Sequence, residues 1–267
     1  MKLKKKIMAI MAAAAMCLGL CGCGSRLTDW EYIEDKGTLV VGITQNMPMN
    51  YYDDNNKLTG FETEFTEEVC KRLGVKPEFQ QIDWSKKEME LKGKTIDLIW
   101  NGLTVTEDRK KEMLFTTSYL QNKQVTVVKK ENSSKYPDTR SMAGITIAFE
   151  KGSAGEDIVN NDPSLKNCGT VSSDSQVKAL LEVKSGTADA CIVDYTLGRA
   201  LTKEGTDYSD LVVLTNIENT DEEYAIGARL EDTETVKKIN EIIAELAADG
   251  TLKKIAEKYD LADALLV

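Results

Sequence analysis

The sequence predicts an α/β protein built from mainly parallel sheets. Short apolar segments of strand length alternate along the chain with segments whose apolar residues recur at helical spacing. Strands that alternate with helices in this way are typical of βαβ units and parallel sheets. The sequence contains no fixed-period repeat, no low-complexity segment and no proline-rich or serine-rich linker between independent domains.

The N-terminal third predicts strands at residues 38–43, 75–82 and 95–100. Between the first two, one apolar residue in every four marks a helix face: Phe61, Phe65, Val69 and Leu73. Gly74 ends this helix, because glycine readily adopts the left-handed conformation that follows a helix.

The middle and the end of the chain continue the alternation. Four further apolar segments predict strands at residues 124–128, 144–149, 190–193 and 211–214. Ser153 with Glu156, and Ser173 with Gln176, have the spacing of a helix-capping box. A helix over residues 233–248 and a shorter one that reaches residue 259 complete the pattern.

The first 23 residues predict an export signal with a lipidation site. Four lysines precede an uncharged run over residues 7–20, which is too short to span a bilayer as a helix. Leu20, Gly22 and Cys23 resemble a bacterial lipobox, which implies cleavage after residue 22 and lipidation, palmitate included, of the thiol and the new amino group of Cys23. Cys21 is the competing acceptor, and an uncleaved membrane anchor is the alternative. We therefore predict a lipoprotein signal peptide at 1–22 and a lipidated N-terminus with a tether at 23–37.

Composition narrows the function classes. Cleavage would change the formal charge from −10 to −14, which argues against nucleic acid as a partner. The absence of histidine disfavours hydrolytic triads and zinc hydrolases. Cys70, Cys168 and Cys191 have neither metal-ligand spacing nor a disulfide pattern; free thiols or a single Cys168–Cys191 bridge are the two interpretations.

Four stretches, taken in order, resemble the extracellular solute-binding proteins of ABC transporters for polar amino acids. The resemblance covers about residues 38–259, and its motifs lie at 58–65, at 96–109, at 152–153 with 188–194, and at 248–255. It implies a two-lobed, periplasmic-binding-protein-like fold with a ligand cleft between lobes that are joined by two crossover strands. The expected divisions are 38–121 and 221–267 for lobe 1 and 122–220 for lobe 2, with crossings near 121–125 and 220–224.

The resemblance also implies partners and a location. We expect a monomer on the extracellular face of the cytoplasmic membrane that takes up an L-amino acid, binds no cofactor or metal, and delivers its ligand to ABC permease subunits. Two alternatives are a receptor module for a separate signalling partner and, less favoured, a dehydratase-like enzyme that uses Glu150 or Asp194 as a general acid.

Two residues of opposite charge fit the two charged groups of a free amino acid. Arg109 follows the strand at 95–100, and Asp194 stands at the end of the strand at 190–193. Ligands of open α/β sheets gather at such carboxyl ends. A guanidinium suits an α-carboxylate, and a carboxylate suits an α-ammonium. The alternatives are a solvated arginine and an ordinary turn aspartate.

The remaining site residues come from the resemblance. It implies ligand contacts by residues next to the two charged groups, namely Asn101, Gly102, Thr104, Ser153 and Ala154, although Ser153 can instead serve only as a helix cap. Free N–H groups at that helix start favour a carboxylate.

The side-chain pocket is expected to have Trp84 as one wall and either Met47 or Tyr51 as the other. Thr44, where relatives that prefer cationic ligands often carry aspartate, counts against a lysine or arginine ligand. If Glu150 contacts the ligand, it favours a cationic ligand side chain. If Glu150 is a solvated loop residue, it has no bearing on the choice of ligand. We therefore expect a polar or uncharged ligand side chain.

Overall fold

The computed structural model describes residues 28–217 and 221–267 as a mixed α/β structure. Its α-helices are α1 Asp29–Lys36, α2 Phe61–Leu73, α3 Lys87–Lys92, α4 Ala154–Asn161, α5 Gln176–Ser185, α6 Tyr195–Leu201, α7 Thr233–Ala248 and α8 Thr251–Lys258. Its strands are β1 Thr38–Ile43, β2 Tyr51–Tyr52, β3 Leu58–Thr59, β4 Lys76–Gln81, β5 Leu98–Ile99, β6 Leu114–Phe115, β7 Leu120–Lys129, β8 Thr146–Glu150, β9 Gly169–Ser173, β10 Ala190–Asp194, β11 Leu211–Val213, β12 Asp221–Tyr224 and β13 Gly227–Ala228.

Each lobe has its own sheet. The first sheet has the order β4-β1-β5-β13-β6 and the second the order β11-β7-β10-β8-β9. Strand β1 pairs in parallel with β4 and β5, and β8 pairs in parallel with β9 and β10. The pairings of β7, β12 and β13 are antiparallel. The expectation of mainly parallel sheets is therefore correct for one half of each sheet and wrong for the other, because β13 in the first sheet and β7 in the second run against their neighbours.

Strand β7 links the two lobes. Residues 120–123 pair with the return strand β12, and residues 124–129 pair with β10 and β11 of the second sheet. These two adjacent strands lie where crossover strands were expected. The proposed lobe boundaries at 121–122 and 220–221 stay a prediction.

Helix α1 occupies part of the segment that the sequence assigned to a tether. Thr28 caps it through a capping box with Glu31, and Gly37 ends it in the left-handed conformation. Trp30 and Ile33 are buried against the first lobe, so residues 29–36 form a docked helix rather than a free linker. The signal peptide and Cys23 lie outside the described residues.

Helix α5 begins two residues later than its predicted cap implies. Ser175, not Ser173, is the capping residue, and its side chain accepts a hydrogen bond from the Lys178 N–H at 3.2 Å. Ser173 ends strand β9 instead. The side chain of Gln176 is thereby free to turn toward the cleft, as described below.

Three further findings bear on the function classes. In the described ranges no helix has both the length and the apolar character needed to cross a membrane. The same ranges contain no cluster of three or more acidic or cysteine ligands suited to a metal ion. Cys70 and Cys191 are buried free thiols, and Cys168 is a half-buried one.

Candidate functional site

A small cavity lies between the two lobes. Residues from both lobes line it: Asn46, Trp84, Asn101, Gly102, Thr104 and Arg109 from the first, and Glu150, Ser153, Ala154, Gln176 and Asp194 from the second. Nine of the eleven predicted ligand residues are therefore brought together around one space.

The loop after β5 supplies the first-lobe side of the cavity. Gly102 has a φ of +58°, and a Cβ there would come within 3.2 Å of Asn46 Nδ2 and 3.3 Å of the Tyr224 ring. A side chain at this position would be strained and would crowd the cavity. The Asn101 side chain is held by Thr44, whose N–H donates to Asn101 Oδ1 at 3.0 Å. This holds the Asn101 side chain in place beside the cavity.

A buried carboxylate fixes this loop from behind. Glu62, at the start of α2, is fully buried and accepts the Gly102 N–H at 2.8 Å and Asn50 Nδ2 at 2.9 Å. The Tyr119 hydroxyl also donates to it. Burial raises the pKa of Glu62 to about 7, against the opposing effect of these donors. Glu62 was not among the predicted site residues, because its sequence position indicated only a helix.

Arg109 is a buried cation that pairs with no carboxylate of the described chain within 4.0 Å. Its guanidinium donates to the Thr104 carbonyl at 2.8 Å through Nη1 and to the Gly152 carbonyl at 3.3 Å through Nη2. Only 8% of the residue is exposed. A buried guanidinium that contacts only carbonyl groups is poorly compensated, so an anion in the cavity would stabilise it.

Asp194 faces the same cavity from the end of β10 and is equally buried. Its side chain accepts from Gln176 Nε2 and Gln124 Nε2, each at 2.5 Å, and from Asn46 Nδ2 of the other lobe at 3.4 Å. All of these donors are neutral amides. Burial raises the pKa of Asp194, and the amides oppose that shift. A cation beside Asp194 would therefore stabilise the ionised form.

Two buried acceptors in the cavity have no donor among the described residues: Glu150 Oε1 and Asn46 Oδ1. Glu150 is 4% exposed, so it is not a solvated loop residue. Burial, and next the charge of Asp194, raise the pKa of Glu150 to about 8, while Lys87 opposes the shift. Both atoms are suited to hydrogen-bond donors of a bound molecule.

The second lobe presents a helix start to the cavity. Ser153 caps α4 and accepts the Glu156 N–H at 3.2 Å, so its hydroxyl oxygen already serves as a cap. Trp84, 5% exposed, forms a wall, and the ammonium of Lys87 lies 4.9 Å from its ring centroid. Lys87 reaches across the cleft and donates to the Gly152 carbonyl at 3.0 Å.

Met47 and Tyr51 do not line the cavity. Tyr51 begins the β2–β3 hairpin, where it pairs with Thr59 and is therefore held away from the cleft. Asn46 occupies the place next to the cavity instead. Sequence reasoning missed Asn46 and Gln176 as site residues, and it assigned Gln176 only to a capping box.

A larger cavity lies beside β7 and α6. Its charged residues, such as Lys123, Arg199 and Asp263, are exposed to solvent. The smaller cavity is the stronger candidate because its charged groups are buried and lack counter-ions.

Known proteins resemble this chain in sequence and, where a structure has been solved, in fold. The probable amino-acid-binding protein YxeM of Bacillus subtilis is 31% identical over 97% of this chain and 96% of its own. The L-cystine-binding protein TcyJ of Escherichia coli is 28% identical over 86% and 85% of the two chains. A crystal structure of an ABC uptake transporter substrate-binding protein from Streptococcus pneumoniae, with bound histidine, matches with a TM-score of 0.81 at 30% identity and covers 90% of this chain and 98% of that one.

Together with the two-lobed fold and the cleft, a family-model match over residues 39–262 shows that the chain belongs to the bacterial extracellular solute-binding proteins, family 3.

Proposed function

We propose that the protein binds a free L-amino acid with a polar side chain in the interlobe cavity and delivers it to an ABC permease. The observation that supports this most is the pair of buried, oppositely charged groups, Arg109 and Asp194, which face one cavity from two lobes. Neither forms an ion pair within the described residues. An α-carboxylate at Arg109 and an α-ammonium at Asp194 would compensate both charges together.

Contacts with the polar backbone would complete this pose. The Gly102 carbonyl and Thr104 would contact the charged groups of the ligand, while Asn101 orders the loop. The N–H groups at Ser153 and Ala154 would assist the carboxylate. The relatives named for cystine and those solved with histidine or arginine indicate that ligand side chains vary widely within the family.

Glu150 would recognise the ligand side chain. Its buried, unpartnered Oε1 favours a side chain that donates a hydrogen bond, since leaving such an acceptor unpaired costs about 1–3 kcal/mol. A ligand whose side chain is purely apolar would leave this cost in place. Trp84 would pack against the aliphatic or planar part of the same side chain.

A thermal-shift panel of the twenty L-amino acids and L-cystine, followed by calorimetry, tests the proposal. We expect at least one polar L-amino acid to bind, and the same molecule to be recovered unaltered by mass spectrometry after denaturation. Glu150→Gln should change the ranking of the panel, whereas Glu131→Gln, at an exposed site, should not. No binding by any member would contradict the proposal, and a chemically converted ligand would favour the dehydratase-like alternative.

The location and partners are part of the same proposal. We infer that a lipid on Cys23 holds the protein, as a monomer, at the outer face of the cytoplasmic membrane, close to the permease. Uptake of the identified amino acid by cells with and without the protein distinguishes transport from sensing. Unchanged uptake would favour a receptor module for a signalling partner.

A further inference from the structure

A second carboxylate lies beside Asp194. Glu222 belongs to the return strand β12, and its Oε1 accepts from Gln124 Nε2 at 2.8 Å and from Asn122 Nδ2. The same two amides donate to Asp194 Oδ1, at 2.5 Å and 3.4 Å respectively. Asp194 Oδ1 and Glu222 Oε1 both contact the same nitrogen, Gln124 Nε2, so the two carboxylate oxygens lie close together.

The strand register explains this arrangement. Asn122 stands opposite Glu222 in the β7–β12 pairing, and Gln124 stands opposite Asp194 in the β7–β10 pairing. Residues two apart on a strand share one face, so the two amides project together. The position of Glu222 is thus set by the strands that connect the lobes.

No cation of the described chain forms an ion pair with either carboxylate. Three further titratable groups act on the pair: the carboxyl groups of Glu62 from α2 and Glu150 from β8, and the hydroxyl of Tyr224 from β12, which lowers the pKa of Asp194. The cations of the cleft, Lys87 and Arg109, donate to the Gly152 carbonyl instead. Glu222 is half-buried, and this burial together with the charge of Asp194 raises the pKa of Glu222 to about 7. Two close carboxylates without a counter-ion disfavour double ionisation.

We propose that Asp194 and Glu222 share one proton in the ligand-free protein, and that the α-ammonium of the ligand displaces it to solvent. This rests on the proposed function, because it takes the ammonium to lie at Asp194. The carboxyl O–H bond breaks, the proton passes to buffer, and the ammonium supplies the positive charge in its place. Glu222 is then a positioning residue that acts through Asn122 and Gln124. Since the pair titrates as a unit, affinity should fall up to tenfold per pH unit below neutrality.

Carboxyl NMR of the ligand-free protein tests the shared proton directly. With ¹³C-labelled carboxyl groups, we expect a signal that titrates near neutral pH and that Glu222→Gln abolishes or shifts. Glu62→Gln and Glu150→Gln identify the signals of those two groups and separate them from the pair. A pair that is fully ionised down to pH 5.5 would overturn the proposal.

Calorimetry in buffers of different ionisation enthalpy counts the protons released on binding. The probe is L-glutamine, or whichever uncharged L-amino acid stabilises the protein most, because its side chain does not titrate. At pH 6.5 we expect about one proton released per ligand, and less than half of that in Glu222→Gln. The matched control is Glu223→Gln, the exposed neighbour on the same strand, which should behave as the parent.

The two proposals fail in different ways. Binding without proton release, or equal release by the parent and Glu222→Gln, would overturn the shared proton and leave the proposed function standing. No binding by any L-amino acid would contradict the proposed function, and the carboxyl titration would still decide whether the proton is shared.

Discussion

Replacement of Arg109 by alanine should greatly reduce ligand affinity while changing protein stability only a little. In the structure the guanidinium contacts two carbonyl groups and no carboxylate of the described chain. Its removal loses these two hydrogen bonds but also relieves a buried, poorly compensated charge. We therefore expect the free energy of unfolding to change by no more than about 2 kcal/mol.

The effect on affinity should be much larger. With Arg109 absent, the α-carboxylate of the ligand would lie in a closed cavity without its cation. Loss of one partner from such a buried pair costs about 2–5 kcal/mol, which is a loss of about 30-fold to several-thousand-fold in affinity. Arg109→Lys should fall between the parent and Arg109→Ala, because an ammonium keeps the charge and loses the planar fork.

Calorimetric titration with the amino acid identified by the panel provides the measurement, and thermal denaturation of each variant provides the stability comparison. Arg140→Ala is the matched control, since Arg140 is exposed and forms no ion pair within the described residues. The assigned role of Arg109 would be refuted by an Arg109→Ala protein that is folded and binds within about threefold of the parent.

Three further outcomes are expected. Burial raises the pKa of Glu62 to about 7 and that of Glu150 to about 8, so the native state binds more protons than the unfolded state. The protein without ligand should therefore lose stability as pH rises from about 5 to 8. Thermal melts should show a Tm that falls over this range and falls less in Glu150→Gln, whereas a rising Tm would contradict the assignment. Cys23→Ser should release the protein into the medium, and lipid found on Cys21 of that variant would move the lipidation site. Adding ligand should reduce the radius of gyration in solution scattering, because the ligand's two charges are satisfied together only when the lobes close; an unchanged radius would argue against a hinge.

The parts of the site that the sequence could predict are those whose location follows from one strand. Asp194 ends strand β10, and Arg109 lies beyond the loop that follows β5; the strand ends of α/β sheets define where ligands gather. Their opposite charges then indicate the chemistry. The alternation of strands and helices likewise indicated the fold class, although the antiparallel pairings of β7 depend on how the chain returns between lobes.

The residues that sequence reasoning missed depend on partners far away in the chain. Glu62 contacts Gly102, forty residues on, and Gln176 contacts Asp194, eighteen residues on. A glutamate in the first turn of a helix is common at exposed sites, so nothing local distinguishes a fully buried one. Helix α1 is different: Thr28 and Glu31 have capping-box spacing and Gly37 is a typical end, so its signal was present in the sequence.

The Gly152 carbonyl connects recognition of the ligand to closure of the lobes. This carbonyl accepts from both Arg109 and Lys87 of the other lobe, so each contact exists only while the cleft is closed. A ligand carboxylate would compete for the Arg109 guanidinium but not for Lys87, whose ammonium lies outside the set of cavity-lining residues. Lys87 can therefore keep the lobes together while Arg109 turns toward the ligand. Burial and the charge of Arg109 lower the pKa of Lys87, and this pKa would rise again when the ligand carboxylate neutralises Arg109. Ligand binding would then strengthen a direct contact between the lobes, and this difference between the open and closed forms is what shifts their populations.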